Sequence, residues 1–243
     1  MAFEPKMYKA AQPKPLPVIL MLDGSGSMSS KGKIESLNEA VQKMIHTFSQ
    51  QTQRSMEIWV AIIVFKESSA YVHTEYTPVQ ELEAKGFEPL TANGRTPMGG
   101  ALKLAKEMIE DKSKTPSRAY RPAAVLVSDG IPTDEWQQPM ETFMEGRSAK
   151  CQRFVMPIGP EADQSKSLQL FLGDEYIENR YYAREAQDIA LAFNEITMSI
   201  SQRAVSKDPN AILQKRAQTS AAAPTEPKQE QYEFLPDDMD MPF

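Results

Sequence analysis

The chain has 243 residues, an apolar fraction of 41% and a formal charge of -6, which suits one soluble domain with an appendage. The negative charge argues against nonspecific binding to nucleic acid or to an anionic membrane, both of which favour clustered Lys and Arg. A single cysteine, Cys151, rules out an intrachain disulfide and points to a reducing cytoplasm, and the apolar run 16–22 is too short to span a bilayer.

Leu16-Pro17-Val18-Ile19-Leu20-Met21-Leu22 is continuous and branched, the pattern of a central parallel strand covered on both faces. Asp23-Gly24-Ser25-Gly26-Ser27 ends it abruptly and gathers one carboxylate and two hydroxyls at the strand tip, the glycines permitting a tight turn. Ile34, Leu37, Val41, Ile45 and Phe48 then recur at helical spacing and predict an amphipathic helix over 33–50. Residues 58–65 read as a second buried strand, and 70–77, with alternating Tyr71, His73 and Glu75, as a more exposed antiparallel edge strand.

Met98, Ala101, Leu102, Ala105, Met108 and Ile109 predict the next helix, with Pro97 at its first position and Thr96 at or near its cap. Residues 123–128 form another buried strand, ended by Asp129-Gly130 as Asp23-Gly24 ends the first. A helix over 140–150, a strand over 154–159, a helix over 164–172 and a last helix through Ile189, Phe193, Ile196 and Ile200 continue the alternation. It predicts a three-layer α/β fold: a mostly parallel sheet with one antiparallel edge strand and helices on both faces. The expected organisation is an extension over 1–15, a domain over 16–206, a disordered linker over 207–229 and an acidic peptide over 230–243.

In an open α/β sheet, ligands gather beyond the carboxyl ends of the strands, so Asp23, Ser25, Ser27, Thr96 and Asp129 are expected on one rim. Such hard oxygen donors suit Mg²⁺, with Mn²⁺ as the alternative. Asp-x-Ser-x-Ser, a later loop Thr and an Asp-Gly after a further strand together resemble the metal-ion-dependent adhesion site of von Willebrand factor A domains. Segments 94–102 and 128–136 are similar to the bacterial tellurium-resistance TerY group.

The resemblance implies that Ser25, Ser27 and Thr96 bind the metal through hydroxyls while Asp23 and Asp129 act directly or through waters. It leaves one coordination position for an acidic ligand from a partner protein. Asp134 and Trp136 stand either as rim residues or, equally, as a helix cap and a packing residue. The function implied is a noncatalytic Mg²⁺-dependent adaptor in a bacterial or phage stress-response or defence setting, with a kinase or phosphatase as the natural partner.

Enzyme readings fare worse. A phosphotransferase of the haloacid dehalogenase type needs a second acid where Ser25 stands, and an EF-hand loop would need Gly at Met28 and Glu at Ile34. No phosphate-binding loop or nucleophile elbow occurs, and His46, His73 and Cys151 read as surface or packed side chains. A metal-dependent phosphohydrolase is the competing class, disfavoured by the lack of a base or nucleophile.

The acidic segment closes with Asp237, Asp238, Met239, Asp240, Met241, Pro242 and Phe243, which resembles the tip of bacterial single-stranded DNA-binding proteins. In that family the tip docks on other proteins, its ring in an apolar pocket and its acids on a basic rim. This chain lacks their basic barrel, so DNA binding is not implied. The segment is therefore expected to dock on a partner, to recruit or block DNA-repair proteins by imitation, or to occupy the chain's own metal site; its plain reading is a solubilising acidic run.

Overall fold

The computed structural model describes residues 12–51, 56–208 and 210; residues 1–11, most of the expected linker and the whole 230–243 segment lie outside the described residues. Strands β1 (Lys14–Asp23), β2 (Met56–Lys66), β3 (Ser69–Pro78), β4 (Ala123–Ser128) and β5 (Gln152–Pro157) form one sheet in the order β3-β2-β1-β4-β5. β1 runs parallel to β2 and β4, and β4 to β5, while β3 is antiparallel to β2 at one edge.

β1 needs no polar face because both of its faces are covered. Leu16, Val18, Leu20 and Leu22 join one core with helices α1 (Lys33–Ser49) and α7 (Ala186–Ala204), and Ile19 and Met21 join a second core with α3 (Met98–Glu110). Full burial of each such side chain contributes about 1.5–3 kcal/mol, which is why a continuous apolar run settles in the middle of the sheet. The fold class is the one the alternation of apolar periods predicts.

Helix α2 (Val79–Lys85) has no periodic signal in the sequence: it buries only Val79 and Leu82, too few to set a period. The helix expected over 140–150 is instead α4 (Gln137–Phe143), followed by a 3₁₀ turn at Ser148–Lys150. The N–H groups of Arg147 and Ser148 donate to Glu110 Oε1 at 2.7 and 3.2 Å, so they are lost to a continuing helix. The helix expected over 164–172 is two pieces, α5 (Pro160–Asp163) and α6 (Lys166–Leu172), with Pro160 fixing the first start and Ser165 standing before the second. β5 stops before Ile158, which bridges to Ala183 as Val155 does to Arg180, so a later segment covers the outer edge of β5.

No helix among the described residues is long and apolar enough to cross a membrane. Cys151 is buried immediately before β5, and burial pushes its thiol up to about 12, far from the reactive thiolate. The chain leaves β1 to build β2 on one side and later β4 on the other. The carboxyl ends of β1 and β4 therefore make a switch point, the crevice where open sheets place ligands.

Candidate metal centre

Asp23 ends β1 with no solvent exposure. Its Oδ1 accepts the Ser25 N–H at 2.8 Å and its Oδ2 accepts the Ser128 hydroxyl at 2.6 Å. Burial pushes the Asp23 carboxyl up to about 6 in spite of these hydrogen bonds, and Asp129 adds a smaller upward push. Ser25 and Ser27 bring their hydroxyl oxygens to 3.0 Å of each other, and Ser27 donates to Asp129 Oδ1 at 2.6 Å. The other oxygen of Asp129 meets Lys33 Nζ at 2.6 Å, the two side chains being 0% and 17% exposed.

Backbone hydrogen bonds knit the loop carrying Thr96 to this cluster. Gly26 donates to the Gly94 carbonyl at 2.9 Å and Asn93 to the Gly24 carbonyl at 2.8 Å, while Glu67 exchanges bonds with Asn93 and Arg95. Gly94 has φ +70° and would place a Cβ 2.5 Å from Glu67 Cα, so a side chain is excluded on both counts. Thr96 and Thr133 bind each other twice: Thr96 N donates to Thr133 Oγ1 and Thr133 N to the Thr96 carbonyl, both at 3.0 Å. Thr96 is buried, with its hydroxyl facing the turn after Asp129, 3.8 Å from where a Cβ on Gly130 would stand.

The two residues left open by the sequence take their structural roles. Asp134 accepts the N–H groups of Gly99 and Gly100 at 3.1 and 3.0 Å, capping α3 from a separate loop. Because that cap comes from outside, Pro97 is the residue before the helix and Met98 its first, one position later than expected, and Thr96 precedes the cap. Trp136 packs half-buried against the α3 core and borders a cleft of about 610 Å³ with Met140, Met144, Lys166 and Leu170. The histidines stand apart: His46 pairs with Glu83 at 2.6 Å, and His73, on β3, lies against Phe87 and is held below its usual range by burial.

Asp23, Ser25, Ser27, Thr96 and Asp129 thus gather at the switch point. Among the described residues no group of three or more His, Cys, Asp or Glu converges, so the rim is hydroxyl-rich rather than built for a soft metal. Three hydroxyls and two buried carboxylates fit a hard divalent cation. Sequence reasoning missed Lys33, Ser128 and Thr133. Ser128 and Thr133 stood beside recognised residues, but nothing in the spacing shows that Lys33, at the start of an amphipathic helix, folds back onto Asp129.

An open α/β sheet with an oxygen-rich crevice at its switch point is the class of domain these features define. Residues 18–131, which include all five rim residues, match the family model of the von Willebrand factor type A domain. Comparison with curated proteins gives no match.

Among solved structures, a von Willebrand factor type A protein from Catenulispora acidiphila is similar at 21% identity and TM-score 0.60, over 77% of this chain and 42% of that one. The vWF domain of the type V pili tip protein Mfa5 from Porphyromonas gingivalis is similar at 14% identity and TM-score 0.61, over 82% and 99%. Proximal thread matrix protein 1 from the mussel byssus, with a zinc-occupied metal-ion-dependent adhesion motif, is similar at 11% identity and TM-score 0.56, over 76% and 48%. The chain spans less than half the length of the first and third. These likenesses show the fold.

Proposed function

We propose that the rim is a Mg²⁺-dependent adhesion site through which the chain binds a carboxylate of a partner protein. The observation that carries this reading is the convergence of Ser25, Ser27, Thr96, Asp23 and Asp129 where β1 and β4 end. The hydroxyls of Ser25, Ser27 and Thr96 would hold the cation directly. Asp23 and Asp129 already accept from Ser128 and Ser27, and would act from behind, orienting hydroxyls and bound waters. A cation held mainly by neutral oxygens retains positive charge that an incoming Asp or Glu neutralises.

Mg²⁺ is favoured over zinc by the hydroxyl-rich donor set, and Mn²⁺ would serve as a substitute. The reading is noncatalytic: the rim carboxylates accept from hydroxyls, amides and the Lys33 side chain, while His46 and His73 stand elsewhere, with Glu83 and against Phe87. The TerY-like segments 94–102 and 128–136 support a cytoplasmic stress-response or defence setting, with a kinase or phosphatase as partner. Segment 230–243 adds a second docking element by its alternation of acidic and apolar residues.

Calorimetric titration of the full chain with Mg²⁺ and Mn²⁺ tests the site. Ser25→Ala and Thr96→Ala should each weaken binding by at least about tenfold, since even the loss of a group that only orients a ligand commonly costs about 10–100-fold. Capture of a partner from a bacterial lysate should require Mg²⁺ and fail in chelator. Unchanged affinity in both variants would remove the reading.

A further inference from the structure

Among the described residues, Lys33 is the one whose ammonium touches the rim. It reaches from the first residue of α1 to Asp129 Oδ2 at 2.6 Å, while Ser27 holds Oδ1 of the same carboxylate at 2.6 Å. Asp129 is therefore engaged at both oxygens, and its side chain has no solvent exposure. A buried carboxylate is costly unless paired, and the lysine supplies the pairing. Asp23 receives only hydroxyl and amide donors.

We propose that Lys33 is the resident cation of the site: it fixes Asp129 behind Ser27, opposes the entering metal, and gives the loaded rim the surplus positive charge that selects a carboxylate ligand. This rests on the metal-site reading above and deepens it. Two carboxylates and a dication cancel, so with the ammonium present the loaded cluster carries one unit of positive charge, and without it none. The charge that weakens metal binding is thus the charge that strengthens binding of the anionic partner. Lys33 acts as a positioning and specificity residue and needs no place among the metal's own ligands.

The test uses the full chain with Lys33→Met, which keeps the stem and removes the charge, and Lys33→Arg, which keeps the charge. Mn²⁺ binding is read by electron paramagnetic resonance, and binding of acetate by the relaxation that bound Mn²⁺ imposes on it. Lys33→Met should bind Mn²⁺ about tenfold more tightly and acetate several-fold more weakly, with Lys33→Arg close to wild type in both. In chelator Lys33→Met should melt below wild type, and saturating Mn²⁺ should restore most of the difference.

Equal or weaker Mn²⁺ binding by Lys33→Met, with wild type binding normally, would overturn the role of Lys33 and leave the metal site standing. Failure of wild type itself to bind Mn²⁺ would remove the metal site and this inference together.

Discussion

Asp23 carries the electrostatic tension of the site. It has no solvent exposure, its acceptors are filled by a hydroxyl and an amide, and burial still pushes it up to about 6. A carboxyl that binds its proton more tightly in the folded chain than in the unfolded one favours folding at low pH. Its contribution is complete below the unfolded value of 3.8 and is lost as the pH rises through about 6. In chelator, urea unfolding should therefore show stability falling by roughly 2 kcal/mol between pH 4 and 7. Asp23→Asn should flatten that slope, and saturating Mg²⁺ should oppose it in wild type by favouring the ionised form. Parallel profiles for wild type and Asp23→Asn would show that the cost of burying this charge lies elsewhere.

The elements that carry these residues differ in how far local sequence determines them. β1 and β4 are set by continuous apolar runs ended by Asp-Gly, so their ends, and with them Asp23 and Asp129, were legible. Helix limits were less so, because distant side chains decide them: Glu110 claims the N–H groups that would have prolonged α4, and Asp134 caps α3 from another loop. The Lys33 contact with Asp129 likewise joins residues far apart in the chain, and no periodicity records it. The α3 junction is therefore a place where helix stability and site geometry are coupled.

Asp134→Ala should destabilise the fold by roughly 1–2 kcal/mol, as loss of a helix cap does. It should also weaken Mg²⁺ binding, since the Thr133 to Thr96 pairing sits in the loop that Asp134 anchors. Gly99 has no such latitude, because a Cβ there would lie 2.2 Å from the Glu135 carbonyl. A thermal melt and a Mg²⁺ titration on Asp134→Ala separate the effects, and lost stability with unchanged affinity would uncouple the cap from the rim.

At the scale of the whole molecule, the proposed carboxylate-seeking rim and a strongly acidic segment occur in one chain. Residues 230–243 hold Glu230, Glu233, Asp237, Asp238 and Asp240 with no Lys or Arg among them. Asn210, the last described residue, is separated from Glu230 by about twenty residues, a stretch that reaches at most about 70 Å. That exceeds the width of a domain of about 200 residues, whose radius of gyration is roughly 16 Å. Covalent attachment gives such a segment an effective concentration of order millimolar, enough to compete with a weak external carboxylate. If the segment occupies the rim, deleting 230–243 should increase capture of an acidic partner several-fold in Mg²⁺, and added peptide of the same sequence should reverse the gain. The melting temperature in chelator should stay the same, because the proposed contact depends on the cation. Capture that is unchanged or reduced after the deletion would show that the segment serves partners other than its own domain.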